Sequence, residues 1–249
     1  MSSQSSIDLS HVTAIVLAGG LGTRLRSVVA DRPKVLADVA GRPFLAYLLD
    51  KLLAAEVQHV VLSTGHMADL IESAFGSAYG SLQLWYSRES APLGTGGALR
   101  LALDQVNSEH VLVLNGDSYC TVDLQAFARS HSRTGAAVSL ALAHVDDTGR
   151  YGRVEVDSAG RITGFAEKIA TCGPGWINAG VYLIQRSMLE QIPQGRTLSL
   201  ERDVFPVWIN GAMFGYQSDA RLLDIGTPES YAEAASFLAA QASQVALRE

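Results

Sequence analysis

Arg24, Lys34, Asp117 and Asp224 are the residues of this sequence whose types and settings could do chemistry. Arg24 and Lys34 follow the stretch Leu17-Ala18-Gly19-Gly20-Leu21-Gly22-Thr23, which begins where an apolar run over residues 12–17 stops. Glycines directly after a buried strand let backbone N–H groups approach an anion where a Cβ would block them, and nearby cations neutralise it. The pattern reads as a cradle for a triphosphate, with Arg24 and Lys34 as counter-charges. A dinucleotide fingerprint fails because Leu25 stands at its third glycine and the next strand ends in Ser63-Thr64, with no acid for a ribose. A Walker loop fails because no Gly-Lys-Ser/Thr is present. A mere surface turn would not need two glycines, a threonine and two cations together.

Asp117 closes a second buried strand and Asp224 follows another apolar stretch at a turn marked by Gly226. Singly, each is a cap or turn residue as readily as a ligand. As a pair beside a phosphate loop they read as holders of Mg²⁺, a hard cation usually bound by one or two carboxylates plus phosphates and water. Asp123 reads as the N-cap of the helix that starts at Leu124. On spacing alone Glu167-Lys168 are solvated charges at a strand end. Asn178 lies inside an apolar strand, where its amide needs partners and a ligand hydroxyl is one candidate. Trp176 suits either a sugar face or core packing, and His66 and His144 read as structural.

The elements that must position these groups alternate between strand and helix. Apolar runs over 12–17, 59–64 and 111–115, and the stretch 82–87, read as strands, with helices from Pro43, through Leu70, near Ala98 and over 124–132. Continuous rather than alternating runs mean that both faces of the sheet are covered, so the expected fold is α/β: a mostly parallel sheet with helices on both faces. Ligands of such sheets lie at the carboxyl ends of the strands. The glycine loop, Thr64-Gly65, Gly94-Thr95-Gly96-Gly97 and Asn115-Gly116-Asp117 would therefore converge on one rim. After residue 135 the texture becomes mixed. It comprises a strand over 137–143, a hairpin around Asp157-Ser158-Ala159-Gly160, a strand over 176–184, a short helix over 188–192, a helix near 200–209, a strand over 214–217 and an Ala-rich tail helix capped by Thr227. One domain is expected over 1–249, a nucleotide-binding half over 12–135 followed by a smaller mixed half over 136–240 that shapes the second substrate's pocket.

At 249 residues, 48% hydrophobic and 18% charged, the chain has the composition of a folded globule. A formal charge of −6 argues against a general nucleic-acid binder without excluding a local cationic pocket. Its two cysteines, Cys120 and Cys172, are too few for a disulfide framework and lack metal-ligand spacing. The Ser-rich start has no signal-peptide pattern and no apolar run approaches the ~18 residues of a membrane span, so a cytoplasmic location without membrane contact is expected.

With these residues laid out, the chain resembles the sugar-1-phosphate nucleotidyltransferases. The resemblance rests on Leu17-Ala18-Gly19-Gly20-Leu21-Gly22-Thr23-Arg24-Leu25 with Pro33-Lys34. It continues through Gly94-Thr95-Gly96-Gly97-Ala98, Asn115-Gly116-Asp117, Glu167-Lys168, Asn178-Ala179-Gly180 and Asp224-Ile225-Gly226-Thr227-Pro228. It covers residues 12 to about 238. Within that family, Arg26-Ser27-Val28-Val29, Asp31-Arg32-Pro33-Lys34 and Gly41-Arg42-Pro43-Phe44-Leu45 look most like the D-glycero-α-D-manno-heptose 1-phosphate guanylyltransferases. One departure is Ile169, where the family often has Pro after the lysine.

The resemblance implies a Rossmann-like fold and the reaction NTP plus sugar 1-phosphate giving NDP-sugar and pyrophosphate. GTP and the manno-heptose 1-phosphate are the expected pair; mannose 1-phosphate, or glucose 1-phosphate with another nucleotide, is the alternative. It further implies Arg24 on the β,γ-phosphates, Lys34 near the α-phosphate, and Asp117 and Asp224 on Mg²⁺. Leu17, Ala18, Gly19, Gly20, Gly22, Thr23, Thr64, Gly65, Gly94, Thr95 and Gly96 would frame the nucleotide. Asn115, Gly116, Glu167, Lys168, Trp176 and Asn178 would bind the sugar phosphate. Homo-oligomer formation is left open. A nucleotide-sugar glycosyltransferase is disfavoured because Asp117-Ser118-Tyr119 is not its usual Asp-x-Asp. A non-catalytic sensor is disfavoured because the cations and carboxylates are all present.

Overall fold

The computed structural model describes residues 6–20, 22, 24, 25, 27–166, 173–209 and 213–246. Its frame is an eight-stranded sheet. The strands are β1 (Thr13–Leu17), β2 (His59–Thr64), β3 (Ala78–Tyr79), β4 (Leu82–Arg88), β5 (His110–Asn115), β6 (Val138–Val145), β7 (Gly175–Gln185) and β8 (Met213–Ser218). They stand in the order β8-β6-β7-β5-β1-β2-β4-β3. Neighbours are parallel except where β7 meets β5 and β6 and where β3 meets β4. The expected mostly parallel sheet is therefore present, with the later strands added to the same sheet.

Both faces are covered, which is why the central strands read as unbroken apolar runs. Ala14, Val16, Val60, Leu62, Leu112 and Leu114 point to one face, against helices α1 (Phe44–Ala54), α2 (Ala68–Phe75) and α4 (Leu124–Thr134). Ile15, Val61, Val111 and Val113 point to the other, against α3 (Gly94–Ala102) and the turns carrying Phe205 and Trp208. Each such fully buried aliphatic side chain contributes about 1.5–3 kcal/mol. This two-sided burial holds the strand ends still.

Three local expectations are corrected. The helix expected near Ala98 begins at Gly94. Gly96 and Gly97 both donate their N–H to the Leu198 carbonyl, at 2.8 and 3.4 Å, so first-turn donors without intrahelical acceptors are satisfied from outside. Pro43, expected inside the first turn of α1, ends a two-residue strand paired with Asp38–Val39 and stands at the cap position. The Ala-rich tail is two helices, Pro228–Ala232 and Ala234–Ala246. Asp123 and Thr227 are N-caps as expected, each accepting a backbone N–H of its helix's first turn. No helix of the described residues is long and apolar enough to cross a membrane.

Candidate active site

A cleft of about 550 Å³ opens at the carboxyl ends of β1, β4 and β5. Pairing in register sets Leu17 between Ser63 and Asn115, so three strand ends arrive level. Leu17, Gly19, Gly20 and Arg24 line the cleft from the first loop, Gly94 and Thr95 from the start of α3, and Asn115 and Asp117 from the end of β5. A hollow of about 160 Å³ adjoins it and adds Ala18, Gly22, Lys34 and Gly226 to the same rim.

Asp224 reaches this rim through a small antiparallel ribbon. Ser118–Cys120 pairs with Leu222–Asp224, with Asp224 opposite Ser118, and the Ile225 N–H donates to the Asp117 carbonyl at 3.0 Å. Between the two carboxylates sits the Lys34 ammonium, its side chain only 10% exposed. It donates to Asp117 Oδ2 at 2.8 Å and lies 3.7 Å from Asp224 Oδ1. Asp224 Oδ1 also accepts the Gly226 N–H at 2.7 Å. Two carboxylates and one ammonium leave the cluster one negative charge. Among the described residues no three His, Cys, Asp or Glu side chains gather as a metal cage. Two carboxylates facing a cleft are the donor set of a cation that takes its remaining ligands from phosphates and water, which fits Mg²⁺.

The other wall comes from β7. Because β7 runs against β5, its early residues reach the carboxyl rim. Its register with β6 shifts between Asn178 and Tyr182, around Gly180 at φ +71°, where an added Cβ would lie 2.8 Å from Asn115 Nδ2. Such bulges re-aim side chains and often border sites. Asn178 Nδ2 donates to the Tyr182 hydroxyl at 2.9 Å and to Glu201 Oε1 at 3.2 Å, while its Oδ1 accepts the Gly180 N–H at 3.0 Å. Burial, first of all, pushes the Tyr182 phenol far up, and the nearby Glu201 carboxylate adds to it. The phenol therefore stays protonated at any working pH.

Some expected residues stand behind the lining. Thr64 is buried and Gly65 packs on Gly19. Gly96 is held under Leu198, and the Gly116 N–H binds the Leu17 carbonyl at 2.9 Å. Trp176 packs edge-on against His144, with ring centroids 5.2 Å apart. Thr23, Glu167 and Lys168 lie outside the described residues. Conversely, Ser118, Glu89, Arg150, Tyr151, Tyr182 and Glu201 line the cleft without having been singled out. Glu89 follows the last residue of β4, the same strand-end signal that pointed to Asp117. It accepts the Leu93 N–H at 2.8 Å, and burial pushes its carboxyl above the ordinary range. Glu201 carried no such signal, because the stretch around it reads as an ordinary short helix.

Comparison with known proteins agrees with this geometry. The "Nucleotidyl transferase" family model matches residues 13–241. The chain is 37% identical over 222 residues to the D-glycero-alpha-D-manno-heptose 1-phosphate guanylyltransferase of Aneurinibacillus thermoaerophilus, covering 89% of this chain and 96% of that one. It is 37% identical over 233 residues to the mannose-1-phosphate guanylyltransferase of Mycobacterium tuberculosis, covering 92% of this chain but only 65% of the relative. The crystal structure of HddC from Yersinia pseudotuberculosis complexed with GMP-PN superimposes with a TM-score of 0.81 at 34% identity, covering 91% of this chain and 99% of that one. With the family's glycine loop, cations and carboxylates gathered on one rim, the chain belongs to the nucleotidyl transferase family.

Proposed function

We propose that the chain transfers a guanylyl group from GTP to a manno-configured sugar 1-phosphate, D-glycero-α-D-manno-heptose 1-phosphate, giving the GDP-sugar and pyrophosphate. The observation that carries this reading is one cleft bordered by the glycine loop with Arg24, by the Lys34–Asp117–Asp224 cluster, and by the polar wall of Asn178, Tyr182 and Glu201. The heptose and HddC relatives support the sugar and the guanine nucleotide. Mannose 1-phosphate is the second reading, supported by the mycobacterial relative.

A phosphate oxygen of the sugar 1-phosphate attacks the α-phosphorus in line as pyrophosphate leaves. The nucleophile is already an anion, so no general base is required. The barrier lies in bringing two polyanions together, a matter of positioning and charge neutralisation. Arg24 holds the departing β- and γ-phosphates, and Lys34 meets the α-phosphate while keeping the two aspartates in place. Asp117 and Asp224 would hold Mg²⁺, which when bound neutralises phosphate charge on both substrates. Lys168 takes the sugar phosphate and Glu167 a sugar hydroxyl. Glu89 suits guanine, whose N1–H and N2–H₂ donate side by side to a carboxylate; the imide of thymine or uracil offers one N–H between two carbonyls that a carboxylate repels.

A pyrophosphate-release assay crossing GTP, ATP, CTP, UTP and dTTP with a panel of sugar 1-phosphates tests the proposal. Activity with GTP and the manno-heptose phosphate supports it. Preference for dTTP or UTP with glucose 1-phosphate overturns it.

A further inference from the structure

We propose that Arg150 binds the second substrate, its guanidinium gripping the phosphate of the sugar 1-phosphate and bringing that dianion against the triphosphate. This rests on the nucleotidyl-transfer reading and adds a cation to Lys168 on the acceptor side.

Among the described residues two guanidinium groups line the large cleft, Arg24 from the first half of the chain and Arg150 from the second. Against them stand four carboxylates, Glu89, Asp117, Glu201 and Asp224. The Lys34 ammonium of the adjoining hollow is already engaged by Asp117 and Asp224. A cleft charged in this way repels a phosphate monoester of about −2 unless a cation meets it. Arg24 belongs to the triphosphate side, at the glycine loop. Arg150 shares the lining with Asn178, Leu222, Asp224 and Thr227, on the side where the acceptor must enter.

The Arg150 side chain is exposed, and among the described residues it forms no ion pair; its Cζ lies 5.8 Å from the centroid of the neighbouring Tyr151 ring. The Glu229 carboxyl, held down chiefly by its own backbone N–H and by Thr227, also feels Arg150, yet the two are not paired. The backbone beneath this free arm is fixed. Residues 146–152 join β6 to the strand Arg153–Val156. Buried Thr148 donates its N–H and its Oγ1 hydroxyl to the Gly173 carbonyl, both at 3.3 Å. The N–H groups of Tyr151 and Gly152 donate to the Thr148 carbonyl at 3.1 and 3.0 Å. Burial pushes the Tyr151 phenol up, Arg150 pulls against it and the Asp224 carboxylate adds to it, so the turn stands at the Asp224 end of the cleft. A phosphate monoester has three acceptor oxygens. One attacks, and the other two match the parallel N–H donors of a guanidinium fork. In the product those two oxygens share a single charge, so the grip loosens as the reaction completes.

Initial-rate kinetics on the unaltered chain, Arg150→Ala and Arg150→Lys, with GTP and manno-heptose or mannose 1-phosphate, test the assignment. Arg150→Ala is expected to raise the KM for the sugar phosphate roughly 10- to 100-fold. Arg150→Lys, which keeps the charge and loses the fork, should fall between. The KM for GTP should stay within about threefold and the melting temperature should not move. The methyl diester of the sugar phosphate, used as a competitive inhibitor, carries one charge fewer, and Arg150→Ala should weaken it several-fold less than the monoester. An unchanged sugar-phosphate KM, an equal rise in both KM values, or the same penalty on monoester and diester overturns the assignment. Absence of turnover by the unaltered chain with every sugar phosphate overturns the nucleotidyl-transfer reading and the inference with it. Turnover by the unaltered chain with an unchanged sugar-phosphate KM in Arg150→Ala overturns the inference alone.

Discussion

The wall of the cleft drawn from residues 12–135 is made of regular strand ends, whereas the wall drawn from residues 136–240 is made of departures from regularity. In the first, β1, β2, β4 and β5 run parallel and in register, and the glycine loop, Glu89 and Asp117 begin within two residues of their ends. In the second, a reversed strand, a bulge at Gly180 and a π-turn at Leu200–Val204 aim Asn178, Tyr182 and Glu201. Phosphates are common to every nucleotide, and a parallel rim of backbone N–H groups and cations suits them all. A sugar is recognised by the directions of its hydroxyls, which demand side chains at angles a regular strand does not present.

If the division holds, changes to the first wall should act on the chemical step and changes to Asn178, Tyr182 and Glu201 of the second on sugar affinity. The largest expected effect is at Asp117. Asp117→Asn should lower metal-dependent pyrophosphate release by roughly 10³-fold with the fold intact by circular dichroism, and near-normal turnover would remove Asp117 from the metal site. Arg24→Ala should cost about 2–4 kcal/mol of transition-state stabilisation, seen as a fall in kcat. If only the KM for nucleotide rises, Arg24 binds ground and transition states alike.

The next test addresses the joint between the walls. Gly94 stands at φ +68°, and a Cβ there would lie 2.5 Å from the Leu198 carbonyl. Gly94→Ala should destabilise the protein by about 2–3 kcal/mol in urea titration and raise both KM values, because it displaces the segment that carries Glu201. A change in the KM for GTP alone would show the two walls to be independent.

The smallest effect is a pH dependence. His131 of α4 is 2% exposed and its Nδ1 lies 2.8 Å from Ser139 Oγ of β6. Burial pushes its pKa from 6.5 down to about 4, with neighbouring His110 adding to the shift. The unfolded chain therefore takes up this proton first as pH falls. The stability conferred by neutral His131 is intact above about pH 6.5 and declines through the window down to pH 4. At pH 5 the loss should be about 2 kcal/mol. A melting-temperature series from pH 7 to 4 should show a shallower acid slope in His131→Gln than in the unaltered chain; parallel slopes would assign the loss to other groups.

The first wall was largely legible because its signals are local. Buried parallel strands are continuous aliphatic runs, and the glycines or aspartate that end them stand next in sequence. Glu89 obeyed the same rule. The second wall was less legible because its signals are not local. Nothing in the spacing of Asn178 and Tyr182 announces the bulge, and a π-turn has the residue pattern of an α-helix. Trp176 suited either a sugar face or core packing, and it is the β6–β7 pairing that sets it against His144.

By itself the sequence determined the inventory: strands buried on both faces, a glycine loop with cations, two aspartates at apolar ends, and the family they signify. Only the tertiary structure decided which members meet. Lys34, Asp117 and Asp224 are brought together by the pairing of Ser118–Cys120 with Leu222–Asp224 and by the Lys34 ammonium between their carboxylates. Local propensities act over a few residues and say nothing about partners a hundred positions apart. Strand order, pairing register and the burial of an ammonium between two carboxylates arise only when the whole sheet is assembled.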